Sequence, residues 1–343
     1  MKSFLIILCL IFVSVGLFVG FVLSYIFLAT SPQSGVVEIR IEQGEPFSAV
    51  VRKLRDQKVV SNEKLFSLWA RYSGSEKKIH WGLYRFELPL SPSEILNRMV
   101  QGKGIFQRVT IPEGFTVKEV ADLLAKMGIV PEEQFLAAAY DPELLSSLGL
   151  QDKGLEGYLF PNTYNFIPET APREIIMKMT EQFRKSAEPL AGQPKEDNGL
   201  TPHEIVILAS MIEKETGVEA ERPLVSAVFH NRLKLKMPLQ SDPTVIYGLK
   251  DFNGNLTRKD LYALSPYNTY RIPALPPGPI CNPGLSSLKA ALHPAAVPYL
   301  YFVSKNDGTH HFSESLESHS QAVKIYQPRN ETTPSRRKPA ARD

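Results

Sequence analysis

The chain has 343 residues, 43% hydrophobic and 22% charged, with 27 Pro, 21 Gly and 2 Cys. That length allows one large domain or two ordinary ones, and the composition excludes a disulfide scaffold and a collagen-like or low-complexity chain. With 39 basic and 36 acidic residues the formal charge is +3, too small to argue for a nucleic-acid partner.

The mean hydropathy of −0.14 hides an uneven distribution. Phe4 to Ala29 carries no charged residue, and about 20 apolar residues suffice to cross a bilayer as a helix. A cleaved signal peptide would have a shorter apolar region followed by small residues; here Tyr25, Ile26, Phe27 and Leu28 continue the run. Residues 1–30 are therefore read as a cytoplasmic stub and transmembrane anchor. Lys2 precedes the span and no Lys or Arg follows until Arg40, which favours a cytoplasmic N-terminus and an exported remainder. Outside the span only Cys281 remains, so no intramolecular disulfide is expected.

After a short linker, Ser31 to Gly35, the residues Val37, Ile39 and Ile41 alternate with Glu38 and Arg40, the period of a half-buried strand. Gly44 turns the chain, and Phe47, Val50, Val51 and Leu54 have amphipathic helical spacing. A second helix is expected near Phe66 to Tyr72, and a strand over Trp81 to Leu88. Ser91-Pro92-Ser93-Glu94 has the form of a capping box with Pro at the first helical position. The pattern of Ile41 to Leu54 partly recurs over Ile111 to Leu124, strand, Gly turn, helix. Glu188 to Gly199 is polar and contains Pro and Gly, so a loop is expected. From Arg329 the sequence RNETTPSRRKPAARD reads as a disordered basic tail.

Thr201-Pro202-His203-Glu204 is a second capping box with Pro at the first helical position, followed by IVILASMI, and Gly217 is a natural stop. Near the end of this helix lies Glu213-Lys214-Glu215. A carboxyl at a helix C-terminus opposes the dipole, and partial desolvation there would raise its pKa, as a general acid requires. The alternative is that both are exposed and paired with Lys214 or Arg222. Two residues apart is about 200° around the helix, so the two Glu face nearly opposite ways. Small side chains at Ala209 and Ser210 leave room beside Glu213, which makes Glu213 the candidate for a cleft and Glu215 the candidate for a structural pair.

LASMIEKET, Leu208 to Thr216, resembles the catalytic helix of the endolytic murein transglycosylases, the MltG or YceG-like family. GLEGYLFPNTY (154–164), VFHNRLKLKMPLQSDPTVIYGL (228–249), SPYNTY (265–270), LPPGPICNPG (275–284) and YLYFVSKNDGTHHFSESLESH (299–319) resemble the same family in its order. The resemblance implies an α+β protein of the bacterial inner membrane: an anchor, a small LysM-like strand-helix module over 36–108, and a larger α+β catalytic domain over 109–328, in which 109–150 is a linking strand-helix unit; the basic tail, 329–343, follows it. It implies cleavage of peptidoglycan glycan strands between N-acetylmuramic acid and N-acetylglucosamine, leaving a 1,6-anhydro ring and ending strand elongation. It puts the family's catalytic glutamate at Glu213. One carboxyl suffices because the sugar's own C6 hydroxyl is the second nucleophile, whereas ordinary glycosidases use two carboxyls.

For substrate contacts, Gln240 and Asp242 offer hydrogen-bonding groups, and Tyr158, Tyr247, Tyr267 and Tyr270 can stack on sugar faces. Asn268, Thr269 and Asn282 lie in turn-rich segments where ligand-binding polar groups often sit, and His311 is a further cleft candidate. No cofactor and no metal are expected. Asp251 to Tyr262 starts like a calcium loop but has Leu256 and Tyr262 at the positions that need Gly and Glu, and His310-His311 lacks ligand partners at a zinc spacing. The expected partners are glycan strands, the inner membrane and peptidoglycan synthases, without nucleic acid. A hydrolytic muramidase and a non-catalytic glycan-binding scaffold remain the rival readings.

Overall fold

A 26-residue helix, α1 (Lys2–Phe27), opens the computed structural model, which describes residues 2–28, 31–42, 44–102, 104, 106–150, 154–191 and 199–328. The basic stretch from Arg329 and residues 192–198 of the expected loop lie outside the described residues. At 1.5 Å per residue α1 is about 39 Å long, enough for the hydrocarbon core. Its apolar side chains are mostly exposed, and Cys9–Phe27 has the length and composition of a membrane span.

The chain divides into two units, Met1–Arg108 with Asn165–Pro168, and Val109–Tyr164 with Glu169–Asp343. The first unit holds α1, β1 (Gly35–Ile41), α2 (Phe47–Asp56), α3 (Glu63–Tyr72), β2 (Gly82–Leu88) and α4 (Pro92–Val100). The strands pair antiparallel with Ile39 opposite Tyr84, and their alternation puts Val37, Ile39 and Ile41 on one face with Tyr84, Phe86 and Leu88. That face packs on Val51 and Leu54 of α2, Phe66 of α3 and Ile95 and Met99 of α4. Each such large apolar side chain contributes roughly 1.5–3 kcal/mol by leaving water. The last turns of α1 dock here too. The Tyr25 hydroxyl donates to the Asn62 carbonyl at 2.9 Å, and the Phe27 and Trp69 rings meet edge to face at 5.7 Å.

The chain continues with β3 (Gln107–Thr110), α5 (Val117–Lys126), α6 (Glu132–Ala139), α7 (Pro142–Ser147), β4 (Thr163–Phe166), α8 (Pro172–Ala191), α9 (Pro202–Glu215), α10 (Arg222–Lys234), α11 (Asp242–Gly248), α12 (Arg258–Leu261), α13 (Leu285–Leu292), the hairpin strands β5 (Tyr301–Ser304) and β6 (His310–Ser313), and α14 (Leu316–Tyr326). β3 pairs with β4 and β5 with β6. Helix α9 is central: every residue from Ile205 to Ile212 is buried, and α10, α11 and α13 pack on it. The repeated pattern gives β1–α2 and β3–α5, each turned by a left-handed glycine, Gly44 at φ 77° and Gly114 at φ 79°. One boundary differs from expectation. α8 runs to Ala191 instead of yielding to a loop at Glu188, because its last turn buries Leu190.

Candidate active site

The capping box at the start of α9 forms as its sequence requires, with Thr201 accepting from the Glu204 N–H and Glu204 accepting from the Thr201 N–H. At the other end Thr216 leaves the helix at φ −143° and its hydroxyl donates to Glu221. Glu213 and Glu215 therefore project from the last turn in different directions.

Glu213 lies in a closed setting. Its carboxyl accepts from Arg222 Nη2 at 2.9 Å and from the Gly284 N–H at 2.9 Å, and its side chain is only 6% exposed. The small neighbours that read as room for a ligand make room for the protein itself. Ser210 Oγ accepts from the Ile280 N–H at 3.0 Å, and Cys281 Sγ donates to the Ser210 carbonyl. Gly114 closes another side, since a Cβ there would stand 3.6 Å from Glu213 Cγ. The Glu113 carboxyl is 3.6 Å from Arg222, and burial and then the charge of Glu213 raise its pKa. Arg222, the alternative partner in the sequence reading, is thus the partner found, and among the described residues protein groups enclose the Glu213 carboxyl where the sequence reading expected an open cleft.

Glu215 has different surroundings. It is half-buried and accepts from the Ser241 hydroxyl. Burial pushes its carboxyl up to about 7, with Asp242's charge adding to the rise and the Ser241 hydrogen bond and Arg232 opposing it. Asp242 is exposed at the start of α11, and its Oδ1 accepts from the Tyr270 hydroxyl at 2.6 Å. Gln240 is exposed and holds the left-handed conformation at φ 53°. That conformation is uncommon outside glycine and is kept only where the surroundings impose it. Here the Gln240 N–H donates to the Thr269 carbonyl at 3.1 Å, and the Ser241 N–H to Thr269 Oγ1 at 3.0 Å. Three of the candidate contact residues, Gln240, Asp242 and Tyr270, are thus brought into one linked group with Glu215, which the sequence reading had placed in a structural pair.

The other sequence candidates hold the fold around it. Asn268, Thr269 and Asn282 are fully buried. Asn268 donates to the Leu261 and Ala263 carbonyls. Thr269 shares a 2.8 Å hydrogen bond with Thr244. Asn282 donates to the Phe115 carbonyl and accepts from the Leu159 N–H. Polar groups in turns close the turns as often as they meet ligands, and burial decides here for closure. Tyr158 is buried, with its hydroxyl 2.8 Å from His203 Nδ1. Tyr247 donates to Glu156 Oε2 at 3.2 Å and its ring meets Tyr267 at 4.9 Å. His311 sits on β6 opposite Val303, with its ring 5.7 Å from Tyr326.

Sequence reasoning passed over three contributors. Ser241 sits between two noted residues, and its hydroxyl is the donor to Glu215. Arg232 lies in the apolar run VSAVFHNRL, where a buried cation leaves its own signal. Glu156 stands between two glycines in GLEG. Burial pushes its carboxyl up to about 7 against hydrogen bonds from the Val117 N–H and Tyr247. Among the described residues no group of three His, Cys, Asp or Glu could hold a metal ion.

A desolvated carboxyl at the end of a buried helix, with a second carboxyl and a tyrosine hydroxyl beside it, can give and take one proton near neutral pH. Comparison with known proteins bears on the reaction. The endolytic murein transglycosylase of Bacillus subtilis (strain 168) is 34% identical over 306 residues, covering 84% of this chain and 84% of that one. That of Streptococcus pneumoniae (strain D39) is 29% identical over 355 residues, covering 94% of this chain, which spans 64% of the pneumococcal protein's length. The crystal structure of a putative YceG-like protein from Listeria monocytogenes superposes with a TM-score of 0.58 at 32% identity, covering 84% of this chain and all of that one. The model of the YceG-like family matches residues 39–325, which takes in the end of β1, all of β2 and the whole of α9 to α13, and the chain belongs to that family.

Proposed function

We propose that this chain is a membrane-anchored endolytic lytic transglycosylase, with Glu215 as its acid and base. Glu215 takes the role that the sequence reading gave to Glu213. The observation that carries the proposal is the contrast in partners: Glu213 is held by Arg222 and the Gly284 N–H, whereas Glu215 has a neutral hydroxyl donor and burial keeps its proton up to about 7.

The substrate is murein, as the relatives' names suggest, and the bond cleaved is the β-1,4 bond from N-acetylmuramic acid to N-acetylglucosamine that the sequence resemblance implies. Protonated Glu215 gives its proton to the bridging oxygen, and the bond from that oxygen to C1 of the muramic sugar breaks. The C6 hydroxyl of the same sugar attacks C1 while Glu215, now a carboxylate, removes its proton. The 1,6-anhydro ring forms, Glu215 regains its proton and no water is consumed. Ring closure is intramolecular, with the entropic advantage that brings. Asp242, oriented by Tyr270, faces the positive charge that develops at C1, and Gln240 is placed to hydrogen-bond sugar hydroxyls or acetamides.

The first unit beyond α1 serves as a LysM-like glycan-binding module, with the N-terminus cytoplasmic, α1 in the inner membrane and the rest of the chain exported. Support comes from its strand-helix-helix-strand order and from a small pocket lined by Ile41, Glu45, Phe47 and Trp81. Anchoring concentrates the enzyme on strands emerging at the membrane, alongside the synthases that make them. The deciding experiment is digestion of purified glycan strands with mass spectrometry of the new ends. Anhydro ends are expected. Reducing ends would make the enzyme a hydrolase, and uncut strands would make it a scaffold.

A further inference from the structure

Arg232 is an unusual cation. It lies on α10 and is 7% exposed, and buried guanidinium groups ordinarily pair with a carboxylate. Arg232 forms no ion pair with any carboxyl among the described residues. Its hydrogen bonds go to neutral acceptors: Nε to the Leu300 carbonyl at 2.7 Å, Nη1 to the carbonyls of Leu239 at 2.8 Å and Pro238 at 3.3 Å, and Nη1 at 3.5 Å from Gln240 Oε1. Its carbon lies 5.2 Å from the centre of the Tyr301 ring, a cation–π arrangement. Carbonyl ligands and a ring face fix the position of a charge without cancelling it.

Burial lowers the Arg232 pKa from its ordinary value, and the nearby groups that oppose this and favour the charge are Tyr301, Tyr270 and Glu215. The other titratable side chains on the surrounding elements are engaged or distant. Glu213 of α9 is held by Arg222, and Glu221, which precedes α10, is held by His310. Glu219 accepts from Ser286, Lys289 of α13 is exposed, and Asp242 of α11 accepts from Tyr270. His319 of α14 stacks against Tyr301 at 5.2 Å, and burial and then the charge of Arg232 hold its imidazole neutral by lowering its pKa.

We propose that Arg232 is a positioning residue for the reaction, a preset counter-charge that steadies Glu215 when its carboxyl turns negative and that fixes the left-handed turn presenting Gln240. This rests on the reading of Glu215 as the acid. During the first step Glu215 goes from neutral to anionic, so a fixed cation nearby stabilises the state after proton transfer more than the state before it. A carboxylate within hydrogen-bonding reach of Arg232 would already neutralise it, and the benefit would be lost. The neutral ligand set is therefore what the role requires. The same group braces residues 238–240, so one side chain links the charge of the site to its shape.

The test measures kcat on purified glycan strands between about pH 5 and pH 9 for Arg232→Met, Arg232→Gln and Arg232→Lys. The alkaline limb of kcat reports loss of the proton from the bound enzyme's acid. Removing a nearby positive charge favours the neutral acid, so Met and Gln should move that limb upward by roughly one pH unit and lower kcat about tenfold. Lys keeps the charge without the fork, so its kcat should fall while its limb stays at the wild-type position. A limb that does not move in the neutral variants, or that rises as far in Lys as in them, overturns the proposal. If the neutral variants fail to fold by circular dichroism, the Lys profile decides alone: a lowered kcat with an unmoved limb supports the proposal, and a risen limb or an unchanged kcat overturns it. Glu215→Gln is run in parallel. Wild-type turnover in that variant would overturn the acid assignment itself, whereas an inactive Glu215→Gln with unmoved Arg232 limbs would overturn only the counter-charge.

Discussion

Glu213 and Glu215 leave the same turn of the same helix and meet opposite surroundings. On one side the segments at 113–114 and 280–284 close over the carboxyl, and the Arg222 guanidinium of α10 and the Gly284 N–H each stand 2.9 Å from it. On the other side the turn at 239–242 and Tyr270 bring a hydroxyl, a second carboxyl and a glutamine, while the nearest arginine is held off by backbone carbonyls. A carboxyl with a tight cation is a structural tie. A desolvated carboxyl whose cation stands back is able to cycle its proton. The helix supplies position, and segments distant in sequence decide the chemistry.

The largest expected effect tests that contrast on activity. Glu215→Gln keeps the shape and the hydrogen bond to Ser241 but cannot donate a proton. Its kcat should fall by at least about 10³-fold, within the range general acid–base catalysis supplies, with the circular dichroism spectrum unchanged. Asp242→Asn should cost roughly 10- to 100-fold, since it removes one charge from the field at C1. Glu213→Gln should cost less than about tenfold per folded molecule. Activity retained in Glu215→Gln and lost in a folded Glu213→Gln would reverse the two roles.

Much of the frame was legible in the sequence. Thr201-x-x-Glu204 marked the start of α9, the alternation around Ile39 marked β1, and the uncharged run marked α1. These are local signals, and local hydrogen bonding or periodicity produces them. The choice between the two glutamates was not local. Ala209 and Ser210 are small in any reading, but whether a ligand or the chain fills the space depends on Ile280 and Gly284, about 70 positions onward. Asn268, Thr269 and Asn282 carry the right chemistry for a sugar and are spent on backbone groups instead. Gln240 gave no sign of its left-handed backbone, which the Thr269 contacts impose.

The next effect is on stability and runs the other way. Glu213 and Arg222 are 6% and 10% exposed, so removing one partner strands a desolvated charge. Glu213→Gln retains an acceptor for the Gly284 N–H, which moderates the loss. The catalytic unit should lose about 2–3 kcal/mol, below the 3–5 typical of a fully broken buried pair, read as a drop in its thermal unfolding midpoint. Glu215→Gln should leave that midpoint unchanged or raise it, because it replaces a carboxyl that burial disfavours when charged. Equal losses in the two variants would remove the distinction between a tie and an acid.

The smallest effect separates Glu215 from the other carboxyl pushed up to about 7, Glu156. For both, the folded value lies above the ordinary 4.5, so the folded state binds the proton more tightly than the unfolded chain. Their contribution is fully present below about pH 4.5 and is lost as pH rises through about 7. Each group accounts for a loss on the order of 1–3 kcal/mol across that window. Glu156 accepts from the Val117 N–H, Tyr247 and Asn282. Glu156→Gln, neutral at every pH, should therefore gain stability relative to the wild type as pH rises from about 5 to about 8, while the alkaline limb of kcat stays in place. Glu215→Gln should show the same relative gain but has no kcat limb left to measure. A stability difference between Glu156→Gln and wild type that stays constant over that range would show that Glu156 is ionised throughout, with its three donors outweighing burial. A limb that moves with Glu156→Gln would make Tyr247 and α11 the route by which this carboxyl reaches Asp242 and the acid.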